Sequence, residues 1–222
     1  MGIDTAVMNH LKYCNTFGDF NDTITMGRQQ IHVNTSNFFD GRVYTLYDWC
    51  ENMLIKEFGC TYVDSMDFSN FEGANIIHDL NIIIDNENNI QKYDTVIDLG
   101  TLEHVYHINN AFINLSKICK TGGQIIHILP SDQQCGHGFW QFSPELFFSL
   151  YTKRNGYGDT EVFVADCITG ELEKLIRPPR GERLELHRKN PSYVAIRTKL
   201  NTNKFTHNNV YQSDYLKAWE EA

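Results

Sequence analysis

Apolar positions along the chain alternate between short continuous runs and stripes of three- and four-residue spacing. Ala6 to Tyr13 fits a short helix, closed by the loop "NTFGDFND". "DTITM" is a β-branched run that meets Gly27, as at a strand end turning toward a helix. From Val43 to Phe58 the residues Leu46, Trp49, Cys50, Met53, Leu54 and Phe58 form an amphipathic stripe, with Gly59 as its stop. "CTYVDSMDFS" and "ANIIHDLN" follow as short strands whose ends carry Asp67, Asp79 and Asn81.

"YDTVIDLG" is apolar on both faces, as a central parallel strand must be. The helix behind it sets Ile108, Phe112, Leu115 and Cys119 on one stripe and is expected to stop at "KTGG", with Gly122 in the left-handed cap position. "QIIHILP" is the next buried strand, and Pro144 opens a further helix. "TEVFVAD" and "SYVAIRT" read as two later strands separated by a charged insert. This order predicts an α/β fold: a Rossmann-like open, mostly parallel twisted sheet with helices on both faces. Residues 1–20 are expected to form an N-terminal helical cap, 21–200 the α/β domain and 201–222 a polar tail with a short helix in "DYLKAWEEA".

Charge narrows the partners. A net charge of −9 argues against a nucleic-acid backbone binder, which needs clustered Lys and Arg; a small-molecule substrate is expected. Six scattered cysteines with no C-x-x-C suit reduced thiols in a cytoplasmic protein. The N-terminal stretch has neither a basic region nor an apolar run, and nothing approaches the length of a membrane span. A homo-oligomer remains compatible with this composition.

In an open parallel sheet, ligands collect beyond the carboxyl ends of the strands. The residues at those ends are Gly27 and Arg28, Asp67, Asp79, and Leu99, Gly100 and Thr101. Glycines admit backbone close to a ligand, and an acid can accept hydrogen bonds from ribose hydroxyls, so the row suits an adenosine-containing cofactor. Asp79 and Asp67 are also ordinary turn acids by residue type.

The run "YDTVIDLGTLEHVYHINNAFINLSKICKTGGQIIHILP" resembles the second half of the nucleotide-binding fold of class I S-adenosylmethionine-dependent methyltransferases, over roughly residues 60–150. "SNFEGANIIHDLN" and "GHGFWQFSPELFFSLY" are similar to a branch associated with surface-polysaccharide biosynthesis. The resemblance implies S-adenosyl-L-methionine as cofactor, a small polar acceptor such as a sugar hydroxyl, Leu99 to Thr101 near the adenosine, and His104 facing the methyl-transfer centre. The sequence departs from the family at "TMGRQQ", where one glycine and an arginine stand in place of a G-x-G turn. Gly27 and Asp67 also lie further apart than the roughly 20 residues usual between such a turn and the ribose-binding acid. That departure leaves a second reading open, a non-catalytic assembly or regulatory subunit on a degenerate fold. A dinucleotide-dependent oxidoreductase lacks its G-x-G-x-x-G.

Histidines supply the candidate chemistry. His137, between glycines in a loop beyond a strand end, is the first choice for a general base, and His104 the second. His127 reads as a satisfied core histidine, and His78 likewise. Glu103, His104 and His107 crowd one turn, but a helical turn points adjacent residues apart, and no second set of ligands has matching spacing. No metal is therefore expected. "RPPRGER" reads as a solvated basic loop.

Overall fold

The computed structural model describes residues 2–208 and 210–220. Its centre is an eight-stranded sheet in the order β3-β2-β1-β4-β5-β8-β6-β7. β1 (Asn21–Met26), β2 (Cys60–Asp67), β3 (Ile76–Ile77), β4 (Tyr93–Asp98) and β5 (Cys119–Pro130) run parallel. β8 (Ser192–Leu200) inserts antiparallel between β5 and β6 (Tyr157–Asp166), and β7 (Leu172–Lys174) closes the far edge. The α/β class and the mostly parallel sheet are as the sequence predicts. Strand order reverses between β1 and β4, which places the ligand-binding crevice at their carboxyl ends.

Two apolar layers sandwich the sheet. On one face α3 (Ile108–Ile118) and α4 (Pro144–Leu150) bury Phe112, Leu115 and Phe147 against Val96, Ile125 and Val194. On the other, α1 (Thr5–Asn15) and α2 (Glu51–Phe58) bury Leu11, Met53 and Phe58 against Ile97, Ile126 and Ala195. The N-terminal helix is therefore a layer of the core and not a cap laid over it. Its start is fixed by Asp4, whose carboxylate accepts from the Val7 amide at 2.9 Å.

Two element boundaries differ from expectation. The stripe from Val43 yields a helix only from Glu51: Tyr47 takes a positive φ of 68°, and the Ile31 and Cys50 amides donate to Asp48 and Gln29 carbonyls, holding residues 27–50 as a long loop. Val43, Leu46 and Tyr47 are exposed, so the apparent periodicity there arises by coincidence. Gly59, in contrast, ends α2 in the left-handed conformation, as expected. "KTGG" is not the cap of α3, which passes directly into β5 at Cys119. Instead Gly123 permits close passage, since a Cβ there would lie 2.7 Å from the Asp94 carbonyl oxygen.

The polar C-terminal segment packs back on the domain. The His207 ring meets the Tyr157 hydroxyl at 2.7 Å, and the Ser213 amide at the start of α5 (Ser213–Glu220) donates to Glu145 at 3.0 Å. The last two residues of the expected helix lie outside the described residues.

Candidate active site

A cleft of about 370 Å³ opens at the carboxyl ends of β1, β2 and β4. Gly27, Arg28, Asp67, Asp79, Gly100 and Thr101 all line it, together with His78, Asn81 and His104. The fold thus gathers six of the seven expected cofactor residues. Leu99 is fully buried among the α1 and α2 side chains and does not line the cleft. His78 is not a core residue either: it lies partly exposed at the cleft wall, with Nε2 2.9 Å from the Ile82 carbonyl oxygen.

The "TMGRQQ" turn is built differently from a two-glycine turn. Gly27 has φ +66°, and a Cβ there would sit 2.9 Å from Thr101 Oγ1 and 4.0 Å from Asp67 Oδ2. A bare backbone is therefore what keeps the cleft open between β1 and β4. Thr101 Oγ1 donates to the Met26 carbonyl at 2.8 Å, which locks the two strand ends together. Arg28, at the cleft wall, is engaged as a brace: Nε donates to Glu51 at 2.6 Å, Nη1 to the Glu72 carbonyl at 3.0 Å, and its guanidinium stacks 4.4 Å from the Trp49 ring centroid. Asp67 is the last residue of β2, and its side chain reaches the cleft. Asp79 accepts from the Asn81 amide and side chain in a turn of its own.

Beneath the β4 turn, Asp98 serves as the anchor. Its Oδ1 accepts from the Thr101 and Leu102 amides at 3.1 and 3.4 Å. Its Oδ2 lies 2.9 Å from His127 Nδ1, while His127 Nε2 meets the Tyr151 hydroxyl at 2.7 Å. His127 is thus the satisfied core histidine its position in a buried strand implies.

The segment after Thr101 is a single 3₁₀ turn, Leu102–His104, and Val105 is already extended. That geometry separates the three residues that crowd one another in sequence. His107 is exposed and its amide donates to Asn81, away from the others. His137 takes its place, carried in by the loop after β5. This loop is stapled to the turn: the Phe139 and Trp140 amides donate to the Glu103 carbonyl at 2.8 and 3.2 Å, and Trp140 Nε1 donates to the Val105 carbonyl at 2.9 Å. Gly138 makes the approach possible, because a Cβ there would lie 2.7 Å from Glu103 Cγ.

Glu103, which the sequence reading weighed only with His104 and His107 in one turn, is the buried member of this group. It is 0% exposed, and neither carboxylate oxygen has a hydrogen-bond partner. Burial, reinforced by the Asp98 carboxylate, pushes its pKa up to about 8. Its Oε1 lies 3.7 Å from His104 Nε2 and 3.7 Å from His137 Nε2, with side-chain exposures of 55% and 39% for the two histidines. Burial and the neighbouring His137 hold the His104 pKa below its ordinary value. A signal for Glu103 existed only in its adjacency to His104; the partner that completes the group comes from 33 positions beyond.

Comparison with known proteins adds the fold's identity. No family model matches the sequence, and no curated protein matches it. Among solved structures, a SAM-dependent methyltransferase from Thermotoga maritima aligns over 86% of this chain and 87% of its own at 10% identity and a TM-score of 0.50. A branched-chain polyamine synthase variant from Thermus thermophilus aligns over 95% and 60% at 11% identity and a TM-score of 0.49. An rRNA methylase from Streptococcus thermophilus aligns over 90% and 99% at 8% identity and a TM-score of 0.41. The fold is that of class I S-adenosylmethionine-dependent methyltransferases. No helix among the described residues is long and apolar enough to cross a membrane.

Proposed function

We propose that this chain is an S-adenosylmethionine-dependent methyltransferase that acts on a hydroxyl of a small polar acceptor, most simply a sugar or sugar-derived intermediate. The observation that carries the reading is the junction of two features at one place. The cleft at the strand-order reversal carries Gly27, Asp67 and Thr101 on its walls, and His104 at its edge belongs to the Glu103–His137 group.

The residues fit such a cofactor. Asp67 ends β2 where a carboxylate can accept from ribose hydroxyls, and Gly27 leaves open the space a side chain would fill. Asp67, Glu72 and Asp79 make the walls acid-rich, and Arg28 is offset by Glu51, so a cationic sulfonium is favoured there. The cofactor, when bound, supplies an activated methyl group whose departure leaves a neutral thioether and needs no acid. The protein's share is to hold the acceptor in line and to take its proton. A His104 imidazole kept neutral at physiological pH suits that proton, with His137 beside it at 6.1 Å between ring centroids. Exposed Phe139, on the same loop, offers an apolar face for the acceptor's ring.

The test is calorimetric titration with S-adenosylhomocysteine on the parent chain and on Asp67→Asn, followed by transfer of labelled methyl to a panel of sugar nucleotides. Saturable binding weakened about tenfold or more in Asp67→Asn is expected, since a lost charged hydrogen bond is worth about 1.5–3 kcal/mol. Absence of saturable binding would sink the reading and favour the non-catalytic subunit. Turnover lost in His137→Ala with binding intact would place the proton transfer at the histidine pair.

A further inference from the structure

Glu103 presents a chemical problem that the cofactor cleft does not solve. A buried carboxyl group with no solvent contact and no hydrogen-bond partner is costly, and native proteins rarely leave one so. Both nearest donors are imidazole nitrogens, each at 3.7 Å, too far for a hydrogen bond. The separation nevertheless has a natural meaning. Two ligands bound to one tetrahedral cation at roughly 2.0–2.2 Å stand about 3.3–3.6 Å apart. The three donor atoms of Glu103, His104 and His137 all lie within 4.8 Å of one another, so small side-chain rotations close them on a common centre.

We propose that Glu103, His104 and His137 form a binding site for a divalent transition-metal cation, with a coordination position open toward the cleft mouth. Two neutral imidazoles and one carboxylate are a donor set that suits zinc or iron(II) and leaves room for a further oxygen ligand. The supports are of the kind such a site needs. The two backbone bonds to the Glu103 carbonyl and the indole bond to Val105 fix the His137 loop against the turn, and Gly138 provides the clearance. The His107 ring lies against Tyr106 outside the group, which makes it an internal control.

The cation's role, unlike its binding, rests on the methyl-transfer reading above. With the metal seated, His104 and His137 would serve as ligands in place of the proton-accepting role they have without it. The acceptor hydroxyl would coordinate at the open position and release its proton to water. Its oxygen then forms the new bond to the methyl carbon as the methyl–sulfur bond breaks and the sulfur keeps the electron pair.

Binding is tested without cofactor or acceptor, so a failure of the methyltransferase reading leaves the outcome untouched. Purified, tag-free full-length chain is titrated with cobalt(II) and zinc(II), followed by visible absorption and calorimetry, alongside Glu103→Gln, His137→Ala and His107→Ala. The expected result is one equivalent bound, with affinity reduced at least about 100-fold in Glu103→Gln and His137→Ala and unchanged in His107→Ala; outer-shell changes alone cost 10–100-fold. His137 sits on an exposed loop, so its variant carries the test even if Glu103→Gln does not fold. No saturation up to about millimolar metal, or equal affinity in parent and His137→Ala, overturns the proposal.

Discussion

The replacement Gly138→Ala interrogates the contact on which the site's geometry depends. The added Cβ would stand 2.7 Å from Glu103 Cγ, 2.8 Å from its carbonyl oxygen and 3.0 Å from its Cβ. Ordinary carbon–carbon contact begins at about 3.5 Å, so the loop must retreat by roughly 0.8 Å. The Phe139 and Trp140 bonds to that same carbonyl, at 2.8 and 3.2 Å, then stretch beyond useful length. Two bonds at about 0.5–1.5 kcal/mol each give a local loss of roughly 1–3 kcal/mol, or an open-loop population about five- to 160-fold larger. Hydrogen exchange read by mass spectrometry on the segment 133–143 measures this directly, and no acceptor need be known. Exchange in β4 and α3 should stay as in the parent, as should S-adenosylhomocysteine affinity, because the cleft walls do not move. Exchange of 133–143 unchanged in a folded Gly138→Ala protein would refute the argument that this glycine lets the loop dock.

Other consequences are as direct. Gly27→Ala combines a strained φ of +66° with a Cβ 2.9 Å from Thr101 Oγ1, so S-adenosylhomocysteine binding should weaken about tenfold or more in calorimetry while the fold persists. Burial holds the His10 pKa down at about 4, against an ordinary 6.5. Below pH 6.5 the unfolded chain takes up a proton that the folded one refuses, so stability falls as pH drops from 6.5 toward 4, by about 1.4 kcal/mol per unit and about 3 kcal/mol in all. Urea unfolding of His10→Leu at pH 4.5, 5.5 and 7 should show that slope reduced; an identical slope in both proteins would mean His10 is not its source.

What the sequence made legible was local. The continuous apolar run of β4, the stripe of α3, and Pro144 at a helix start are each decided by neighbours within a few residues. So was the row of glycines and acids at the strand ends, since a strand's polarity fixes which end its last residue occupies. The misread helix before Glu51 shows the limit: Leu46 and Trp49 fit a helical period, yet cross-loop bonds between Ile31 and Asp48 decide the backbone. Gly122 matched a helix-stop pattern, but α3 runs straight into a strand that needs no cap. The Glu103 group was illegible for a related reason. Treated as helical, the turn would pair His104 with His107; as one 3₁₀ turn followed by extended chain it releases His107 and admits His137. A contact between Gly138 and Glu103 leaves no periodic trace in the chain.

The two margins of the sheet bear on how copies of this protein can meet. β3 offers two residues and β7 three, and they pair only with Met66 and Asp67 of β2 and with Phe163 to Ala165 of β6. Along the rest of their outer edges β2 and β6 have no strand partner among the described residues, so those stretches are where an incoming strand would add to the sheet. Contact between copies thus has backbone to draw on at both margins, as well as the side-chain surfaces of the helical layers.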